Sequence, residues 1–418
     1  MTDKRLRNWM QNLALLLLTA SALFLLTRLP LLQNIRLSAG PLFSAEPALP
    51  EPDALPAAMM ASVNLMVTGD SEHGRCGLLC TAAGDAALQE VIPLFQEALG
   101  SAVLVGGAEE TALRASLDHP GFYLEFAGGE LPLQAAAAWL GEEVSFAQPV
   151  RAMALTAGEE DTAALFLLDG PGKITRCATA LPVSAVRMVC EKFPTNGAYF
   201  AYETEYGGLS PYTVLTAETA APPDISAERP AGYSAYNLLT ALDFNAHTLS
   251  RYTESSGAEV IEESPRTLRI GPDGSVSFIS RGGMASGLYR ASGQELREVL
   301  AAGWRLAAAL TEGTGASPLF LRAVEESENG CVLRFRYEAD GLPVFFSDGG
   351  DALAITFRDG GVDRFTYRCR AYAPVDEEPA ALLPAGMAQA IAAGYPDAAL
   401  SIGYEDDGSG RLAAQWYR

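Results

Sequence analysis

The sequence predicts an α+β fold: one N-terminal transmembrane helix, then a multi-domain extracytoplasmic region of units that each lay a helix on an antiparallel sheet. Three observations predict it. An uncharged apolar run lies near the start of the chain, helical stripes recur between short strand-like runs, and glycines punctuate those runs. At 418 residues and 49% hydrophobic, the chain has the material for two or three domains of roughly 100–200 residues.

Residues 1–36 hold five basic side chains against one acid, a charge of +4 that leaves −26 for the rest of a chain whose total is −22. An acidic body repels a phosphate backbone, so nucleic acid is excluded as a partner. Residues 9–27 carry no formal charge, follow Lys4, Arg5 and Arg7, and precede Arg28. That length suits a spanning helix, and we read 1–8 as a cytoplasmic basic head and 9–28 as a single-pass anchor. A cleaved signal peptide is the competing reading. Its small-residue sites put Leu37 or Phe43 at the −3 position, or Pro41 directly after the cut. No two small residues stand four apart within the run, so no GxxxG-type contact is indicated and no partner-facing residue is assigned.

Residues 38–58, with five prolines, form an extended stalk. An N-terminal α+β domain is expected over 60–220. Its strands are SVNLMVTG, SAVLVGG, GFYLEF, AMALTAG and AALFLLDG, and its helices lie near 85–100, 109–117 and 133–140. In the first helix Leu88, Val91, Ile92, Phe95, Ala98 and Leu99 fall at helical spacing, while Pro93 argues for a kink or a late start. Pro222, Pro223 and Pro230 break the periodicity, and beyond them we place a middle domain over 232–290 and a C-terminal domain over 291–418. The hairpin RTLRI-GPDG-SVSFIS marks the middle domain. The C-terminal part has a helix striped by Leu296, Val299, Leu300, Gly303, Ala307 and Leu310, and a last helix is expected after Pro384.

The three histidines, His73, His119 and His247, show no zinc spacing, so neither a metal nor a cofactor is expected. His73, Cys76 and Cys80 are near one another, but two exported cysteines this close more simply form a local disulfide or stay as buried thiols. Cys331 and Cys369 face inward by alternation and either bridge or remain buried thiols. GxSxG, SxxK, GxGxxG and Walker patterns are all missing, so no catalytic residue is assigned. The carboxylates Glu325-Glu326, Asp376-Glu377-Glu378 and Asp406-Asp407 read as solvated surface. Phe200, Tyr202, Tyr206 and Tyr212 read as core more economically than as a ligand groove.

Several segments resemble the YycH/YycI type of accessory regulator of low-GC Gram-positive bacteria, YycH more than YycI. They are GFYLEFAGGELPLQAAAAWLG, AYFAYETEYGGLSPYTVL, LLTALDFNAHTLSRYTESSGAEVI and RTLRIGPDGSVSFIS, behind the basic head and anchor. RFRYEADGLPVFF with DALAITFRDGGVDRF is similar to the strand pair of those regulators and of PepSY-type modules. The resemblance implies a non-enzymatic extracytoplasmic protein that modulates a membrane sensor histidine kinase in a two-component system governing cell-wall homeostasis, with a paralogous YycI-like protein as a further partner. The competing expectation is a PepSY-like module that binds a ligand or inhibits a protease. An exported hydrolase ranks last, because its site would have to assemble from scattered Asp and Glu.

Overall fold

The computed structural model describes residues 62–417 except 70–73, 82–84, 128, 159, 171, 205–208, 217–221, 231–233, 246, 281–288, 292–294, 328–329, 376–381, 384–386, 389–390 and 392–399. All described residues belong to one compact unit, Ala54–Arg418. The expected head and anchor, the whole of the stalk and most of the last helix lie outside the described residues. Among the described residues no helix is long and apolar enough to cross a membrane.

The chain is mixed α and β, rich in strands, with six α-helices among the described residues. Its first sheet has seven strands: β1 (Val63–Thr68), β2 (Arg75–Cys80), β3 (Val103–Ala108), β4 (Gly121–Phe126), β5 (Ala152–Thr156), β6 (Thr162–Leu168) and β7 (Ile174–Pro182). They lie in the order β2-β1-β4-β5-β6-β7-β3, each neighbouring pair antiparallel. Four helices accompany them: α1 (Ala86–Gly100), α2 (Glu110–Leu117), α3 (Leu133–Trp139) and α4 (Val183–Cys190).

Alternation along the strands divides the side chains between two cores. Leu65, Leu124, Met153, Leu155 and Leu165 share one core with α1, α3 and α4; Met66, Tyr123, Ala154 and Phe166 share the other with Leu113 and Leu117 of α2. The sheet is covered on both faces, which is why every residue of β4 and β5 is buried. Helix α1 starts at an Asp85 cap, whose side chain accepts from the Ala87 N–H at 2.9 Å, and it runs through Pro93. The late start allowed for in the sequence does not occur. At the far edge, β3 leaves Val103, Leu104 and Val105 more than half exposed, and the register shift between Leu104 and Gly106 makes Val105 a bulge.

The second sheet begins after α5 (Ala235–Ala241). Its first four strands are β8 (Ser250–Thr253), β9 (Glu259–Glu263), β10 (Arg266–Ile270) and β11 (Ser275–Ser280). After α6 (Leu296–Thr311) come β12 (Leu319–Ser327), β13 (Gly330–Ala339), β14 (Leu342–Phe346), β15 (Leu353–Arg358) and β16 (Gly361–Arg368), then β17 (Ser401–Asp406) and β18 (Gln415–Tyr417). The order is β8-β9-β10-β11-β16-β15-β13-β14-β17-β18, with β12 also on β13. Because β11 pairs with β16, from Ser275↔Arg368 to Ile279↔Arg364, one hydrogen-bonded sheet crosses position 290. The proline-rich break also takes part in folding, since Ile225–Glu228 pairs with Ala371–Pro374 and with Arg411–Leu412.

Two Asp-Gly turns close hairpins here. Asp340 and Gly341 have φ of 49° and 76°, and Asp359 and Gly360 have 49° and 73°, the left-handed pair that two-residue hairpin turns require. Helix α6 lies on this sheet with Trp304 edge-on to Phe335 at 6.3 Å. Gly303 crosses so close to Leu333 that a Cβ would fall well inside van der Waals contact with its Cδ1.

Strand geometry favours the buried-thiol alternative for the cysteines. Cys76 and Cys80 are four residues apart on extended β2, roughly 13 Å at the usual strand rise, so a local disulfide is out of reach. Cys331 pairs with Phe357, while Cys369 follows Arg368, whose carbonyl accepts from the Tyr337 hydroxyl; six residues of β13 hold the two ends roughly 20 Å apart. No Cys331–Cys369 bridge forms, and all six cysteines are free and buried.

Candidate functional site

On the α2 face of the first sheet lies a pocket of about 330 Å³. Its position comes from sequence alternation. Leu113 and Leu117 anchor α2 over the smaller core, turning Ala112, Ala115 and Ser116 toward the space beside it. On the sheet, Thr156 continues the Ala152–Ala154 face of β5, and Ala164 and Phe166 continue the same face of β6. His119, just past the end of α2, together with Thr162 and Gly158, completes the wall.

The mouth is charged and the wall apolar. Arg176 on β7 and Glu160 in the β5–β6 turn pair at 2.9 Å, with side chains 37% and 67% exposed. Deeper in, Thr156 is fully buried and its Oγ1 has no hydrogen-bond partner. The other hydroxyl at the helix is occupied, since Ser116 Oγ donates to the Ala112 carbonyl at 2.9 Å. His119 is held through its backbone: its carbonyl accepts from Thr68 Oγ1 at 2.7 Å, and its N–H donates to the Ser116 carbonyl. The arrangement is suited to binding, with donors and acceptors around an apolar wall.

The other residues singled out in the sequence fall elsewhere. His73 and Tyr206 lie outside the described residues, as do Asp376, Glu377 and Glu378. His247 sits in the α5–β8 connection. Among the described residues no three His, Cys, Asp or Glu side chains cluster as metal ligands. Phe200 and Tyr212 are buried in the smaller core beside Tyr123, and Arg114 covers the Tyr202 ring at 4.5 Å. Burial pushes the Tyr202 hydroxyl up to about 12.

Glu325 is exposed, as the solvated-surface expectation has it, whereas Asp406 departs from that expectation. Glu325 is clamped by Arg334, which holds its carboxyl below the usual range. Asp406 is buried, accepting from the Tyr372 hydroxyl at 2.8 Å and facing Arg370 at 3.4 Å. Burial also raises the thiols, those of Cys80 and Cys190 to about 12 and that of Cys331 to about 11.

No family model matches the chain, and neither a curated protein nor a solved structure matches it.

Proposed function

We propose that the protein is a non-enzymatic, single-pass regulator, its N-terminus cytoplasmic and its bulk outside the cell membrane, that modulates a sensor histidine kinase of a two-component system controlling cell-wall homeostasis. One observation carries this reading: the uncharged run 9–27 behind Lys4, Arg5 and Arg7 is joined by a proline-rich segment to an acidic α+β body. The resemblance to YycH-type regulators supplies the kinase and a paralogous YycI-like protein as partners.

Affinity purification of the full chain from solubilised membranes tests it. A histidine kinase is expected to co-purify and to be lost when residues 9–27 are replaced by an unrelated anchor. A deletion strain with unchanged cell-wall gene expression overturns the reading.

The pocket on α2 favours a second reading, an extracytoplasmic ligand-binding module. A buried hydroxyl without a partner in a pocket of ligand size is what a small-molecule site needs.

A further inference from the structure

We propose that the pocket between α2 and the first sheet binds a small zwitterion with an aliphatic side chain, an α-amino acid or a dipeptide. The inference rests on the ligand-binding reading of this pocket and not on the kinase, so each can fail without the other.

Charge at the mouth selects the class. Arg176 and Glu160 present one positive and one negative group 2.9 Å apart, both partly in water. An exposed pair of this kind contributes only about 0–1 kcal/mol, so exchanging it for a ligand's carboxylate and ammonium costs little. A simple anion would satisfy Arg176 but face Glu160, and it would approach a body carrying −26. A simple cation would satisfy Glu160 and strand Arg176. Only a molecule with both charges a short distance apart satisfies both residues at once.

The interior selects the rest. Ala112 and Ala115 of α2 oppose Ala164 and Phe166 of the sheet, an apolar wall for an aliphatic side chain. Thr156 Oγ1 is buried without a partner, and a hydroxyl so placed gains from any amide or carboxyl group that reaches it. At about 330 Å³ the space is at the small end of ligand pockets, a size that suits one amino acid or a dipeptide.

Isothermal titration calorimetry on the full-length chain in detergent tests the proposal, with L-leucine and L-leucyl-L-alanine as probes and 4-methylpentanoate and isoamylamine as the two half-ligands. Saturable binding of at least one zwitterion is expected, with each half-ligand at least about tenfold weaker, since each lacks one charged hydrogen-bond partner. Arg176→Gln and Glu160→Gln should each weaken the zwitterion about tenfold or more, and the isosteric Thr156→Val about fivefold. Both rim substitutions are at exposed side chains, and an unchanged thermal transition checks that each variant is folded. The proposal is overturned if neither zwitterion binds saturably, if a half-ligand binds as well as the zwitterion, or if folded Arg176→Gln and Glu160→Gln bind as the parent does.

Discussion

Glu338 on β13 holds Ser62 at the start of β1: one carboxylate oxygen accepts from the Ser62 N–H at 2.9 Å and from its hydroxyl at 2.6 Å. The other oxygen takes Arg336 at 2.8 Å, and both charged side chains are less than a tenth exposed. The first strand of one sheet is thereby fastened to a central strand of the other.

Breaking that junction should be costly. Glu338→Ala leaves Arg336 as a buried charge without its carboxylate and is expected to destabilise by about 3–5 kcal/mol. Urea unfolding measures it. The double variant Arg336→Met with Glu338→Leu should regain only part of the loss: an apolar pair does not have to be desolvated, but the buried Ser62 N–H and hydroxyl still lack their acceptor. A single variant as stable as the parent would remove the pair from the account of the interface.

Gly303→Ala sets two effects against each other. Alanine gains about 1 kcal/mol as a helix former, but its methyl meets Leu333 in the core between α6 and β13, where added volume costs about 1–3 kcal/mol. A net loss of stability is expected, smaller when Leu333→Val is present. The coupling is read from a double-mutant cycle in denaturant.

Glu125 gives the stability a pH dependence of known sign. Burial keeps its carboxyl above the usual carboxylate range, opposed by Arg151 at 2.8 Å and a hydrogen bond from Asn64. Its proton is therefore held more tightly in the folded chain than in the unfolded one. That contribution is complete below the ordinary carboxylate pKa, about 4.3, and disappears as pH rises through the raised value. The parent should lose stability relative to Glu125→Gln across that window. A difference that stays flat with pH falsifies the assignment.

Thiol chemistry checks that the six cysteines are unbridged. Native protein near pH 7.5 should react negligibly with Ellman's reagent, because all six thiols are buried and burial holds them protonated. In guanidinium without reductant, six thiols should titrate. Four would mean that one pair had bridged.

Local patterns were legible in the sequence and long-range ones were not. The stripes of α1 and α6, and the hairpin around Pro272-Asp273-Gly274, arise from periodicity and turn chemistry that act within a few residues. Trp304 stood off the expected stripe, and it is buried because α6 is covered more widely than a surface helix. Pairing between β11 and β16 leaves no local trace, because each strand alternates as well at a sheet edge as in its middle. The pocket was invisible for the same reason. Thr156 ends an otherwise apolar run, and Arg176 and Glu160 belong to segments that only the β6–β7 register brings together. The alternation of β7, inward at Cys177, Thr179 and Leu181, was the one available clue.

The β11–β16 junction also dictates an order of events during synthesis. When the chain has been made through Ser280, β8 to β11 can pair among themselves, but the outer side of β11 has no neighbour until Gly361–Arg368 has emerged. For that interval a nascent chain presents an open strand edge to other chains, to chaperones and to proteases. The last third of the protein thus acts as the closing piece for the middle third, so a stop codon before residue 361 would expose the middle strands in addition to removing β16 and the strands beyond it.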